Sequence, residues 1–271
     1  MDKDSGLIYS PPHFTWMDTN YPAGTPREGY PIEIQALWYS ALAFLGQHAA
    51  TKEEREQRNA LAEKVRASVL TFFRSSERRY LSDCLHATAG VPASEAVADD
   101  HLRPNQLFAI TLGLIDDPVD RKNILEATRC LLIPGAIRTL ADKEVKKLHP
   151  IYGNNGTLLN DPAHPYQGRY EGDEDTRRKA AYHNGTAWPW VFPSWPEAYF
   201  MTYGRPGRRT AISVLSTMTL LMDGGCITQL PEILDGDIPH KPRGCDAQAW
   251  SVTEFYRVWA MLHHKTNQEK S

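Results

Sequence analysis

Three features of the sequence predict an all-α fold. Apolar residues recur at helical spacing in about seven segments. Long polar loops rich in Gly, Pro and Asn separate those segments. Neither βαβ alternation nor a Gly-rich phosphate loop occurs. The chain has 271 residues, 41% hydrophobic and 10% aromatic, enough apolar content for a sizeable core, and one domain over residues 1–271 is expected.

Taken in order, residues 11–31 form a proline-rich loop that carries Trp16 and Asp18, the kind of loop in which function concentrates. Pro31 opens a helix with Ile34, Trp38, Ala41, Leu42 and Leu45 on one face. A second helix over residues 52–73 turns Leu61, Val65, Val69 and Phe72 inward and covers its outer side with the solvated charge run EEREQR. Residues 78–100 read as a short extended pair and a connection. Arg103, Asn105 and Gln106 lead into a helix through Leu107, Ile110 and Leu114, and the next helix follows Pro118. Beyond Gly135 a long loop runs through His149 to Gly172, a length that favours function. Three further helical segments cover residues 195–203, 206–222 and 247–262. A second loop, with Glu232, Asp235 and Asp237, lies between the last two.

The net charge of -3, with no long basic stripe, argues against a nucleic-acid partner. No apolar run approaches the roughly 20 residues that span a bilayer, and the N-terminus lacks signal-peptide blocks, so no membrane partner and a cytoplasmic location are expected. The four cysteines show no metal-ligand spacing. Reduced thiols are expected, a Cys226–Cys245 bridge being the conceivable exception. No metal and no cofactor are predicted.

The segment PYQGRYEGDEDTRRKAAYHNGTAWPWVFPSWPE mixes flat aromatic rings with carboxylates, Arg, His and Asn. A sugar offers apolar C–H faces for stacking and a rim of hydroxyls for hydrogen bonds, so this mixture suits a carbohydrate pocket; it also suits a buried aromatic cluster beside a surface loop. Glycosidic hydrolysis needs one carboxylic acid and one carboxylate. Asp18, Glu33, Glu171, Asp173, Glu232 and Asp235 are candidates, and each could equally be a hydrogen-bonded loop residue or a helix cap.

The stretches HFTWMDTNYPAGTPREGYPIEIQALWYSAL, LRPNQLFAI, YQGRYEGDEDTRRKAAYHNGTAWPW, PEILDGD and PRGCDAQAWSVTEFYRVW resemble, in order, the blocks of the C-terminal glucosidase domain of glycogen debranching enzymes, the amylo-α-1,6-glucosidases. The resemblance implies an (α/α)6 toroid and removal of the single glucose left at an α-1,6 branch point of glycogen or a branched maltodextrin. It implies an inverting pair, Asp18 as general acid and Glu232 as base, standing roughly 6.5–9.5 Å apart. Burial beside Trp16 and the charge of Glu232 are expected to raise the Asp18 pKa. For sugar binding, resemblance and chemistry together point to Trp16, Glu33, Trp38, Arg103, Asn105, Gln106, Tyr170, Asp173, His183, Asn184, Trp188, Gln248 and Trp250. His183 is read as a neutral hydroxyl partner. Arg103 and Asn105 could also cap a helix, and Trp38 and Trp250 could be core. The family's domain has further helices upstream, so the toroid is expected to be incomplete on its N-terminal side, with self-association or a partner supplying the missing part. A glucan-binding remnant without turnover, a related toroid glucosidase and a helical scaffold without sugar affinity are the alternatives.

Overall fold

The computed structural model describes residues 1–264. It corrects the all-α expectation: two antiparallel sheets, of three and five strands, stand beside helices that make up about 43% of the chain, so the fold is mixed α/β. Every strand is two or three residues long, too short for an alternating pattern to show in the sequence. The six-hairpin helical toroid fails with it. The aromatic stretch and the loop before the last helix, expected to be loops on a helical ring, each supply strands to the larger sheet.

The smaller sheet pairs β1 (Gly29–Pro31), β2 (Cys84–His86) and β3 (Val97–Ala98) in that order. Tyr30 lies opposite Leu85, and Leu85 opposite Ala98, which makes the extended pair read in residues 78–100 part of a three-stranded sheet. The larger sheet runs β4 (Leu132–Ile133), β5 (Ala136–Arg138), β6 (Ala187–Trp188), β7 (Ile233–Leu234) and β8 (Pro242–Arg243). Its central pairings, Ile137 with Trp188 and Ala187 with Leu234, join segments about fifty residues apart. Such pairings leave no local signal in the sequence.

Helix α1 (Ile32–Gln47) packs on α2 (Lys52–Phe72) and α3 (Leu107–Thr111); α6 (Ser194–Ser216) packs on α3, on α4 (Pro118–Thr128) and on α7 (Ala249–His263). A one-turn helix, α5 (Lys179–Tyr182), lies in the aromatic stretch. Thr51 caps α2 by accepting from Glu54 N at 3.1 Å, and Asp117 caps α4 by accepting from Val119 N and Asp120 N at 2.9 Å. The break expected between residues 203 and 206 falls at Gly204, whose φ of 60° and ψ of -146° interrupt α6.

The inward face of α1 differs from the one its apolar spacing suggests. Ile32, Ala36, Tyr39 and Leu42 are buried together with Glu33 and Gln35, while Phe44 and Leu45 are exposed. The polar pair goes in because each has partners there: Gln35 exchanges hydrogen bonds with the Ile8 backbone at 2.8 and 2.9 Å, and Glu33 meets Arg27. One large core runs from Leu7 and Ile32 through Ile110, Trp188 and Phe192 to Leu262. All four cysteines are free, so no Cys226–Cys245 bridge forms. No described helix is long and apolar enough to cross a membrane.

Candidate active site

Three segments build an aromatic face. The loop before β1 brings Trp16, the stretch from α5 through β6 brings Tyr182, His183, Trp188 and Trp190, and the first turn of α7 brings Trp250. Trp16 sets its edge against Trp188 (5.3 Å, 78°), Trp190 (5.0 Å, 85°) and His183 (5.3 Å, 85°). Trp190 stacks on Trp250 at 4.8 Å and 12°, and His183 on Trp188 at 5.2 Å and 18°. Tyr170 and Tyr182 extend the face, with ring centroids 5.3 Å apart. These are the edge and offset geometries that aromatic quadrupoles favour. The indole N–H groups of Trp190 and Trp250 are buried and find no hydrogen-bond partner among the described residues.

Beneath the face lies a polar network that fixes it. Trp16 Nε1 donates to Asn105 Oδ1 (2.8 Å), Asn105 Nδ2 donates to Asp83 Oδ1 (2.8 Å), and Arg27 Nε donates to Asp83 Oδ2 (2.6 Å). Arg27 forks onto both oxygens of Glu33 at 2.5 and 2.7 Å. Arg103 donates to the carbonyls of Thr139 (3.0 Å) and His183 and to Asn184 Oδ1 (2.8 Å). Asn184 in turn donates to Thr25 Oγ1 (3.0 Å), and Gln106 holds the Leu81 amide and the Arg103 carbonyl at 3.1 Å. Glu33, Arg103, Asn105, Gln106 and Asn184 are all buried. Apart from Arg103 Nε, which makes no hydrogen bond among the described residues and lies 3.6 Å from Asp83 Oδ2, their side-chain polar atoms are engaged within the chain, and the network holds Trp16 and His183 in place.

The two carboxylates implied by the resemblance come to opposite ends of one dipeptide. Asp18 Oδ1 lies 3.6 Å from His183 Nε2, and Glu232 Oε1 accepts a short hydrogen bond from the Tyr182 hydroxyl. Glu232 Oε2 also accepts from Cys245 N at 2.8 Å. Burial, with the Glu232 carboxylate next and Asp18 contributing, pushes the Tyr182 phenol well above its ordinary value. Burial lowers the His183 pKa to about 4 against the opposing pull of Asp18, so the ring is neutral near pH 7. The expectation for Asp18 itself is corrected. Its side chain is 70% exposed, and His183 holds its carboxyl below the ordinary carboxylate value against the effect of partial burial. Trp16 turns its rings toward the other aromatics and does not bury Asp18.

Glycine lets the Glu232 loop approach. Gly236 N donates to the Gly168 carbonyl at 2.7 Å, and a Cβ at Gly236 would fall 2.0 Å from Gly185 O. Three backbones therefore cross where only glycine fits. Asp235, the neighbouring candidate, is buried and held by Arg243 at 2.9 and 3.0 Å and by Tyr170 N at 2.9 Å, while Glu171 lies 3.6 Å from Arg243. Asp173 caps the π-helical turn Glu174–Arg178 by accepting from Thr176 N at 2.9 Å. Trp38 is tied to the N-terminal arm through the Gly6 carbonyl (3.2 Å), and Gln248 sits half-buried at the start of α7, two residues before Trp250. A cleft of about 660 Å³, lined by Tyr166, Arg169, Glu171 and Asp237 among others, contains neither Asp18 nor Glu232. Its Asp237 accepts from the Tyr166 hydroxyl (2.9 Å) and faces Arg169 (3.6 Å).

Tyr182, Trp190, Arg27 and Asp83 did not stand out as site residues in the sequence. Tyr182 and Trp190 lie inside the aromatic stretch and could have been drawn from it. Arg27 and Asp83 carry no local signal, since their roles depend on contacts across 56 positions of chain.

The model of the family described as amylo-alpha-1,6-glucosidase matches residues 1–162 and 156–257. The chain belongs to that family. Among curated proteins none matches in sequence. Two solved structures are similar in fold. One is an uncharacterised conserved protein from Thermus thermophilus, with a TM-score of 0.50 and 11% identity, over 84% of this chain and 46% of that one. The other is a metal-independent α-mannosidase from Streptococcus pneumoniae, in a non-productive complex with α-1,6-mannobiose, with a TM-score of 0.50 and 15% identity, over 95% of this chain and 51% of that one. This amylo-alpha-1,6-glucosidase family member thus spans about half the length of the solved structures it matches.

Proposed function

We propose that the chain carries the reacting face of a glycoside hydrolase that removes α-1,6-linked glucose at branch points of glycogen or dextrin with inversion. In this reading Asp18 is the general acid and Glu232 the base. The observation that carries it is the placement of both carboxylates against Tyr182–His183, beside the Trp16 and Trp250 rings. Between an inverting pair there must be room for a water on the far side of the sugar. The Tyr182 and His183 rings, centroids 4.7 Å apart, stand between the two carboxylates.

The sugar would lie on Trp16, Tyr170 and Trp250, with His183 and Trp188 behind and Gln248 at the rim. Asp18 is ionised in the free chain at neutral pH. A glucosyl unit seated beside it would strip away its water and raise its pKa, loading the acid on binding. Glu232, fixed by Tyr182 and the Cys245 amide, would accept the proton of the attacking water.

The test is a limit dextrin bearing single α-1,6-linked glucosyl stubs, with glucose release followed by proton NMR. β-Glucose is expected as the first anomer, and Asp18→Asn and Glu232→Gln are each expected to lower kcat by at least about a hundredfold with the circular dichroism spectrum unchanged. Activity retained in either variant, or α-glucose appearing first, refutes the assignment. The exposed, ionised state of Asp18 favours one second reading, a glucan-binding chain without turnover, which would give saturable dextrin binding and no product.

A further inference from the structure

Away from the aromatic face, a second group of side chains gathers where β2 meets the loop after β3. One donor atom from each of His86, Asp99 and His101 lies within 4.8 Å of the other two. His86 Nε2 is 3.1 Å from Asp99 Oδ2, and His101 Nδ1 is 3.5 Å from the same oxygen. Asp99 and His101 are buried, and His86 keeps a 24% exposed side chain.

The hydrogen bonding around these atoms fixes their character. His101 Nε2 lies 2.8 Å from the Lys147 carbonyl oxygen. A carbonyl only accepts, so that nitrogen carries the ring proton, and a neutral His101 turns the lone pair of Nδ1 toward a carboxylate. Two acceptors then face each other at 3.5 Å, beyond hydrogen-bond reach, and a cation between them resolves the conflict. The other Asp99 oxygen, Oδ1, accepts from Asp83 N at 2.8 Å. A ring nitrogen committed to a carbonyl and a carboxylate oxygen committed to an amide are the outer contacts that orient metal ligands. Zinc at roughly 2.0–2.1 Å from tetrahedral ligands sets neighbouring donors roughly 3.3 Å apart; the two separations from Asp99 Oδ2, 3.1 and 3.5 Å, fall on either side of that, and the two histidine nitrogens lie within 4.8 Å of each other. His149 adjoins the group, its ring centroid 5.4 Å from that of His101 and its Nε2 buried without a hydrogen-bond partner among the described residues.

We propose that His86 Nε2, Asp99 Oδ2 and His101 Nδ1 form a binding site for a zinc-class dication, with a structural role. The bound ion joins β2 to the loops that carry Asp99 and Lys147. Through the Asp99–Asp83 contact it also braces the Arg27, Asn105 and Trp16 network under the aromatic face. The ion stands apart from Asp18 and Glu232 and takes no part in glycosidic chemistry. The site is therefore tested without any assay of sugar cleavage.

The test uses the full chain without an affinity tag, stripped with a chelator and then titrated with Zn²⁺ by calorimetry, with metal content measured after gel filtration. One equivalent is expected, with an upward shift in Tm of about 5 °C at a hundredfold excess over Kd. His86→Ala, at the most exposed ligand, and Asp99→Asn should each weaken binding by about tenfold or more and remove the Tm shift. His48→Ala, at an exposed surface histidine, should leave both unchanged. Should Asp99→Asn fail to fold, His86→Ala and His86→Gln decide. Absence of stoichiometric binding overturns the proposal. Binding that persists unchanged in the His86 variants overturns it as well.

Discussion

Glu33 can be asked whether it serves the sugar or the scaffold. It is buried with Arg27 across two hydrogen bonds, and Arg27 keeps Asp83 as its other carboxylate. Neutralising Glu33 takes one of two carboxylates from a buried guanidinium that Asp83 still pairs, so the cost falls below that of a fully orphaned charge, at about 1–2 kcal/mol. Glu33→Gln is therefore expected to lower the unfolding free energy by that amount, read as a lower urea midpoint at unchanged slope; an unchanged midpoint with a raised KM for dextrin would place Glu33 on the ligand instead. At this scale the sequence was informative about residue types and silent about their commitments. It marked Arg103, Asn105, Gln106 and Asn184 as a polar concentration, but whether a donor is free depends on partners such as Thr139 and Asp83, which only the folded chain supplies.

Among the elements, helices were legible where spacing, caps and breaks agreed. The 206 boundary shows it, since Gly204 and Pro206 stand together in the sequence and α6 breaks there. The sheets were not legible, because Ala187–Trp188 and Ile233–Leu234 are two-residue strands defined by pairing with each other and with β5 and β8. The five-stranded sheet nevertheless delivers Glu232 to Tyr182, and Gly168, Gly185 and Gly236 cross just beyond its strands. A Cβ at Gly236 meets backbone, which cannot swing aside as a side chain would. Gly236→Ala is expected to cost about 2–3 kcal/mol and to reduce glucose release more than that loss of folded protein explains, as Glu232 is displaced from Tyr182. Equal activity per folded molecule would show that the crossing does not set the position of Glu232.

Over the whole molecule, the buried neutral His183 makes stability depend on pH. Its pKa is about 4 in the fold against an ordinary value of 6.5, so between those pH values the unfolded chain binds the extra proton and the folded chain does not. Stability is then full above about pH 6.5 and falls as the pH drops toward 4. At about 1.4 kcal/mol per pH unit, His183 accounts for roughly 3 kcal/mol of that fall. The slope of unfolding free energy across this window should flatten in His183→Gln; an unaltered slope would mean that His183 does not titrate on unfolding. The family was legible in the blocks at Trp16–Asp18, Arg103–Gln106 and 232–237, while the mixed architecture was not. The His86, Asp99 and His101 group was equally hidden, since its spacing matches no familiar ligand motif and its geometry exists only once β2 and the following loop are in place.

The adjacency of Tyr182 and His183 has a mechanical consequence. Asp18 and Glu232 are separated by most of the chain, yet each is gauged against one of two residues joined by a single peptide link, whose α-carbons are about 3.8 Å apart. That link acts as a covalent ruler. Strain arriving from either terminus leaves the spacing of those two α-carbons unchanged, so only rotation of the Tyr182 and His183 side chains can alter the measure between the anchors.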